Sequence, residues 1–127
     1  MSAPLVISAT VTTPPVEGAA DSPFPLAFTG SYDHLIKYRY TLTGTGTKAV
    51  DFGSLATGAK VVIVSVDSDS SPSAQPVNLV FNGGSDQVEV SQGGFLLFGS
   101  PVPTASGITD LSITYASSVK MYVWIFG

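Results

Sequence analysis

Cysteine is absent from this chain, histidine and tryptophan occur once each, and only 11% of the residues are charged. Each shortage removes a class of explanation. Without cysteine there is no disulfide scaffold and no thiolate metal site, and redox chemistry says nothing about compartment. The five cations, Lys37, Arg39, Lys48, Lys60 and Lys120, are scattered rather than clustered. Neutralising a phosphate backbone takes a basic stripe, so no nucleic-acid partner is expected. Apolar runs such as Val61–Val64 are far too short to span a bilayer, and the opening MSAPLVISATV has neither a basic n-region nor a long apolar core. Hence neither a membrane partner nor a secretion signal is expected. A capped helical period of 3.6 is missing from every stretch long enough to make a helix.

What remains is acidic, apolar and poor in charge. Net charge is −4 and 44% of the residues are hydrophobic. A charge content of 11%, against roughly 25% in ordinary soluble domains, leaves a surface built largely of Ser, Thr, Gly and Ala. Such a surface suits work inside an assembly, where charge would have to be desolvated on docking. The 127 residues fit one compact domain with a core of its own.

The chain divides at about residue 31. Residues 1–31 hold five of the nine prolines, at 4, 14, 15, 23 and 25. Proline cannot donate to a central ladder, so Pro14–Pro25 is expected to be an extended arm or an edge-hugging segment. Leu5-Val6-Ile7 and Thr10-Val11-Thr12 can form one short strand before it. The segment either packs on its own domain or reaches a neighbouring subunit. From residue 32 to 127 the pattern is β. HLIKYRYTL sets His34, Ile36, Tyr38 and Tyr40 against Leu35, Lys37, Arg39 and Thr41, a period of two. After the break at GTGT, KAVDFGSL predicts a short strand. AKVVIVSVD is β-branched almost throughout, as in a strand buried on both faces or in a sandwich interior. PVNLVFNGG ends in an Asn-Gly-Gly turn signal, and DQVEV alternates again. ITDLSITYA and VKMYVWIFG follow. About eight strands at short spacings predict an all-β antiparallel sandwich, jelly-roll-like, with an extended proline-rich N-terminal arm.

SQGGFLLFGSP poses the sharpest local question. A phosphate-cradling glycine loop needs a helix N-terminus behind it, and Gly93-Gly94 leads into an apolar strand instead. The glycines are turn chemistry, and Phe95–Phe98 is expected to be a core strand.

Catalytic chemistry finds little support. His34 opens a strand, and no G-x-S-x-G elbow accompanies it. The carboxylates Glu17, Asp21, Asp33, Asp51, Asp67, Asp69, Asp86, Glu89 and Asp110 fall mostly at strand ends and turns, and nothing singles out a catalytic pair. Asp67–Ser71 has a calcium-loop flavour but lacks the glycine and the distant bidentate Glu, so a solvated turn is expected. No catalytic, metal or cofactor-binding residue is assigned, and no cofactor is expected. The last strand is different: Lys120, Tyr122, Trp124 and Phe126 point one way, Met121, Val123 and Ile125 the other. With both faces apolar, one needs cover beyond its own sandwich. The N-terminal segment, another subunit, or a sugar stacked on Trp124 could supply it; Tyr38 and Tyr40 are open to the same alternatives.

NGGSDQVEVSQGGFLLFGSP and ITDLSITYASSVKMYVWIFG together resemble small virion proteins of tailed bacteriophages, in which a valine-rich strand, a polar turn, a glycine pair and an fLLF strand precede an aromatic-rich C-terminus. The likeness covers roughly residues 55–127 and not the proline-rich beginning. It implies a non-enzymatic β-sandwich located in the virion: a capsid decoration (cement) protein that stabilises the head by binding between capsid subunits, or otherwise a tail protein. The partners implied are the major capsid protein or other virion proteins, with homo-oligomers (a dimer or trimer) in a symmetric shell. The expected contact residues are Pro14, Pro15, Phe24, Pro25, Tyr122, Trp124 and Phe126. The rival expectation is a tail or receptor-binding, carbohydrate-binding β-sandwich domain; a small hydrolase ranks third.

Overall fold

The computed structural model describes residues 3–11, 24–57, 59–67, 75–99 and 108–127. These form ten strands: β1 (Ala3–Val11), β2 (Phe24–Tyr32), β3 (Leu35–Leu42), β4 (Gly46–Val50), β5 (Val61–Val66), β6 (Val77–Phe81), β7 (Val88–Val90), β8 (Phe95–Gly99), β9 (Leu111–Tyr115) and β10 (Val119–Phe126). Two antiparallel four-stranded sheets face each other, in the orders β3-β10-β5-β8 and β4-β9-β6-β7. Every step between consecutive strands from β3 to β10 passes from one sheet to the other, except the β6–β7 pair. The all-β sandwich is therefore as expected, with eight strands in its two sheets and two more in a separate ribbon.

Residues 12–23 of the expected Pro14–Pro25 arm lie outside the described residues, and the segments on either side of them form that ribbon. β1 and β2 pair antiparallel with each other, Leu5 opposite Gly30 and Ile7 opposite Phe28. Alternation gives the ribbon two unlike faces: one carries Leu5, Ile7 and Tyr32, which pack on Val61 and Phe126 of the first sheet, while Val6 on the other is exposed. Lys60 Nζ donates to Ser31 O at 2.8 Å, tying β2 to the start of β5.

Between the sheets lies the main core. Val62, Val64 and Val66 of β5 stand beside Met121, Val123 and Ile125 of β10, facing Val77, Leu79, Leu111 and Ile113 of the second sheet. Each such side chain contributes about 1.5–3 kcal/mol on burial. β5 sits centrally because it is β-branched and uncharged: Val62, Val64 and Val66 fill the core, while Ile63 and Ser65 on its other face are only half-buried. KAVDFGSL forms a strand only as far as Val50; Gly53–Thr57 closes into a 3₁₀ turn, with Gly53 N donating to Asp51 Oδ1 at 2.8 Å. The Asn-Gly signal is realised as a turn with positive φ at Asn82 (55°) and Gly83 (66°), closed by Gly84 N donating to Phe81 O. Asn82 Oδ1 accepts from Thr109 N at 2.8 Å, Thr109 Oγ1 at 3.1 Å and Asp110 N at 3.2 Å, fixing the approach to β9.

Candidate functional site

Register determines what each face of the sandwich shows. On the outer face of the first sheet, residues directly opposite one another form rows across β3, β10, β5 and β8. One row is Leu35, Phe126, Val61 and Gly99; the next is Lys37, Trp124, Ile63 and Leu97; the third is Arg39, Tyr122, Ser65 and Phe95. The ribbon covers Phe126 and Val61 of the first row, leaving Phe126 only 5% exposed with its ring edge-on to Tyr32 at 5.2 Å, while Gly99 at the end of the row is exposed. The second and third rows stay open: Phe95 is 73% exposed, Leu97 39%, Trp124 38% and Tyr122 36%. Ile63, Ser65, Tyr122 and Trp124 line an open groove of about 280 Å³.

The opposite outer face is chemically plain. Its rows read Thr47, Thr114, Asn78 and Glu89, and Ala49, Ser112 and Val80. The aromatic strip thus belongs to one side of the molecule. Contiguous exposed apolar surface of this kind marks an interaction site, whereas isolated apolar residues do not.

Charge follows the same asymmetry. Lys37 Nζ sits 4.7 Å from the Trp124 ring centroid, and Arg39 Cζ lies 5.8 Å from that of Tyr122. These cation–π contacts are worth about 0.5–1 kcal/mol at exposed sites. No carboxylate stands in either open row. A molecule of net charge −4 therefore presents a cationic, aromatic strip.

Of the expected contact residues, Tyr122 and Trp124 meet on this strip. Phe126 shares their stripe but is sealed beneath the ribbon, so its ring is structural. Phe24 and Pro25 belong to β2, opposite Val11 and Thr10. Pro14 and Pro15 lie outside the described residues. Phe95–Phe98, expected as a core strand, is an edge strand: Leu96 and Phe98 pack on the core, while Phe95 and Leu97 face outward. Period-two alternation signals that split, but FLLF is apolar at every position and so hides it. Tyr38 and Tyr40 face inward; their rings stack at 5.3 Å, and Tyr38 Oη donates to Asp51 O at 2.6 Å. Burial above all, with Tyr38 and Asp51 adding to it, pushes the Tyr40 hydroxyl up to about 12.

His34 sits opposite Gly127, exchanging backbone hydrogen bonds at 2.9 Å, at the far end of β10 from Tyr122. Among the described residues, no three His, Asp or Glu side chains gather to hold a metal. Residues 68–71 of the Asp67–Ser71 stretch, and Glu17, Asp21 and Asp69, lie outside the described residues. What the strip can do is bind, by stacking, apolar burial and attraction of negative charge. Compared with known proteins, the chain matches no family model, no curated protein and no solved structure.

Proposed function

We propose that this chain is a non-enzymatic structural protein of a phage virion, most plainly a capsid decoration protein, which docks through the outer face of the β3-β10-β5-β8 sheet. The observation that carries the proposal is the open pair of rows holding Trp124, Tyr122, Phe95 and Leu97 beside Lys37 and Arg39. Rings flanked by arginine and lysine make good interface anchors, since they bury large area with little loss of rotamer freedom. The partner surface that fits is apolar at its centre and acidic at its rim, such as a site between capsid subunits. The strand order supports taking the sandwich as a jelly roll, an architecture that recurs in viral capsid and lectin domains, a likeness of fold and not of chemistry.

The test is co-sedimentation with particles that lack this protein. The double variant Trp124→Ser, Tyr122→Ser is expected to weaken particle binding at least about 100-fold, as loss of two anchors does. Binding within threefold of wild type would refute the docking face. Residues 1–25 make a poor deletion here, because removing β1 uncovers Phe126 and Val61 and creates a new apolar surface.

A second reading draws on one observation: Trp124 is 38% exposed over an open groove, as a sugar-stacking platform requires. On that reading the chain is a tail or receptor-binding domain for carbohydrate. Glycan-array binding lost in Trp124→Ala, with no binding to particle shells, would favour it.

A further inference from the structure

Among the described residues, four strands lie at the edges of the two sheets: β3 and β8 in one, β4 and β7 in the other. An edge strand offers unpaired N–H and C=O groups to any extended chain, and proteins blunt such edges with charge, proline or brevity. β3 carries Lys37 and Arg39, β4 carries Lys48, and β7 is only Val88–Val90, with Glu89 at its centre. β8 has none of these defences. It reads FLLFG, and its two outward side chains, Phe95 and Leu97, are 73% and 39% exposed. We propose that β8 is a self-association edge, which pairs antiparallel with β8 of a second copy about a twofold axis perpendicular to the sheet.

The sequence of the strand fits itself in that arrangement. A twofold perpendicular to the sheet keeps outward residues outward, so residues facing each other must share a face. Centring the axis on Leu97 uses the whole strand: Leu97 meets its own copy, Leu96 meets the second copy's Phe98, and Phe95 meets the second copy's Gly99. The bulky ring thus lies over the one position without a side chain. Leu96 and Phe98, already against the core, extend it across the junction. Self-pairing of β3, β4 or β7 would instead bring Lys37 and Arg39, Lys48 or Glu89 towards like charges, which is destabilising.

Area sets the strength. Phe95 exposes about 150 Å² of a side chain of roughly 200 Å². With Leu97 and the strand edge, roughly 300–400 Å² per copy is covered, about half of the roughly 800 Å² per partner in a stable specific interface. The isolated dimer is therefore weak and concentration-dependent, and repetition in an assembly would consolidate it. Pairing also joins two sheets into one and sets two aromatic strips on a single continuous face. The inference stands on the β8 edge and not on the virion proposal.

Sedimentation equilibrium of the purified full chain tests it without any particle. Wild type is expected to dimerise with a Kd between about 10 and 500 μM, in the range of weak, small-area contacts. Leu97→Lys and Leu97→Glu each place like charges across the axis and should raise Kd at least about tenfold, while an equimolar mixture of the two recovers a dimer. Val6→Lys, at a position 69% exposed on the ribbon, should leave Kd unchanged. Deuterium exchange of wild type reads the same contact without substitution: amides of 95–99 slow as concentration rises. A monomeric wild type at about 1 mM, a Kd unmoved by both Leu97 variants, or a mixture of folded variants that stays monomeric would each overturn the proposal. Particle binding by the Trp124 and Tyr122 variants is a separate readout, so the two proposals can fail independently.

Discussion

Phe126→Ala separates the ribbon from the sandwich. Phe126 is 5% exposed and belongs to a small cluster with Leu5 and Val61, flanked by Ile7, Tyr32, Leu35 and Ile63, distinct from the main core. Its side chain covers roughly 190 Å², of which alanine keeps about a quarter, so at about 25 cal/mol per Å² the loss is near 3.5 kcal/mol. Cavity effects place such changes at roughly 3–5 kcal/mol. A two-stranded ribbon is marginal by itself, so this cluster is what holds β1 and β2 down. Since about 1.4 kcal/mol is a factor of ten, amides in Ala3–Val11 and Phe24–Tyr32 should exchange about 10²–10³ times faster in native-state hydrogen exchange. The neighbouring Ile125→Ala is the control. Ile125 points into the main core and is fully buried. Its loss weakens docked and undocked forms alike, by about 2–5 kcal/mol, so β5 and β10 amides accelerate while ribbon amides keep their rate. Equal acceleration of the ribbon in both variants would refute the separation of the two clusters.

Other expectations follow from single sites. Asn82→Gly keeps the positive φ but loses three hydrogen bonds, and should destabilise by about 1–2 kcal/mol in urea unfolding; Asn82→Ala adds about 1 kcal/mol of left-handed strain. Tyr40 should ionise near pH 12 in an ultraviolet absorbance titration. The unfolded chain surrenders that proton first, near 10.0, so stability present below pH 10 is lost between pH 10 and 12. Tyr38→Phe removes one of the neighbouring charges and should lower the Tyr40 midpoint part of the way, burial accounting for the remainder. Lys37→Gln should cost no more than about 1 kcal/mol in stability, since it removes an exposed cation–π contact, and should raise acrylamide quenching of Trp124.

Much of this fold was legible in short-range pattern. LIKYRYTL and VKMYVWIF alternate with charge or bulk on one face, and pairing Tyr122 with Arg39 and Trp124 with Lys37 realises that alternation. Asn82-Gly83 encodes its turn locally, through left-handed φ. Long-range pairing was not legible. Nothing in Leu5-Val6-Ile7 announces that it pairs with residues 28–30 across a proline-rich stretch, and nothing in FLLF distinguishes an edge from a centre. Those outcomes depend on which strands flank β8 and β10. For the same reason Trp124 and Tyr122 could be named as contacts from the last strand, whereas Phe95, Leu97 and Ile63 enter only through register. Phe126 shows the reverse: its stripe pointed outward as expected, and the ribbon that covers it was the element the pattern left undecided.

Trp124 is the sole tryptophan, so its fluorescence reports directly on the strip. The decisive measurement is its emission and acrylamide quenching with and without virion shells that lack this protein. In the free chain the emission should be red-shifted and readily quenched, and on binding it should move to the blue with quenching suppressed. Binding shown by co-sedimentation while emission and quenching stay unchanged would contradict docking through this face.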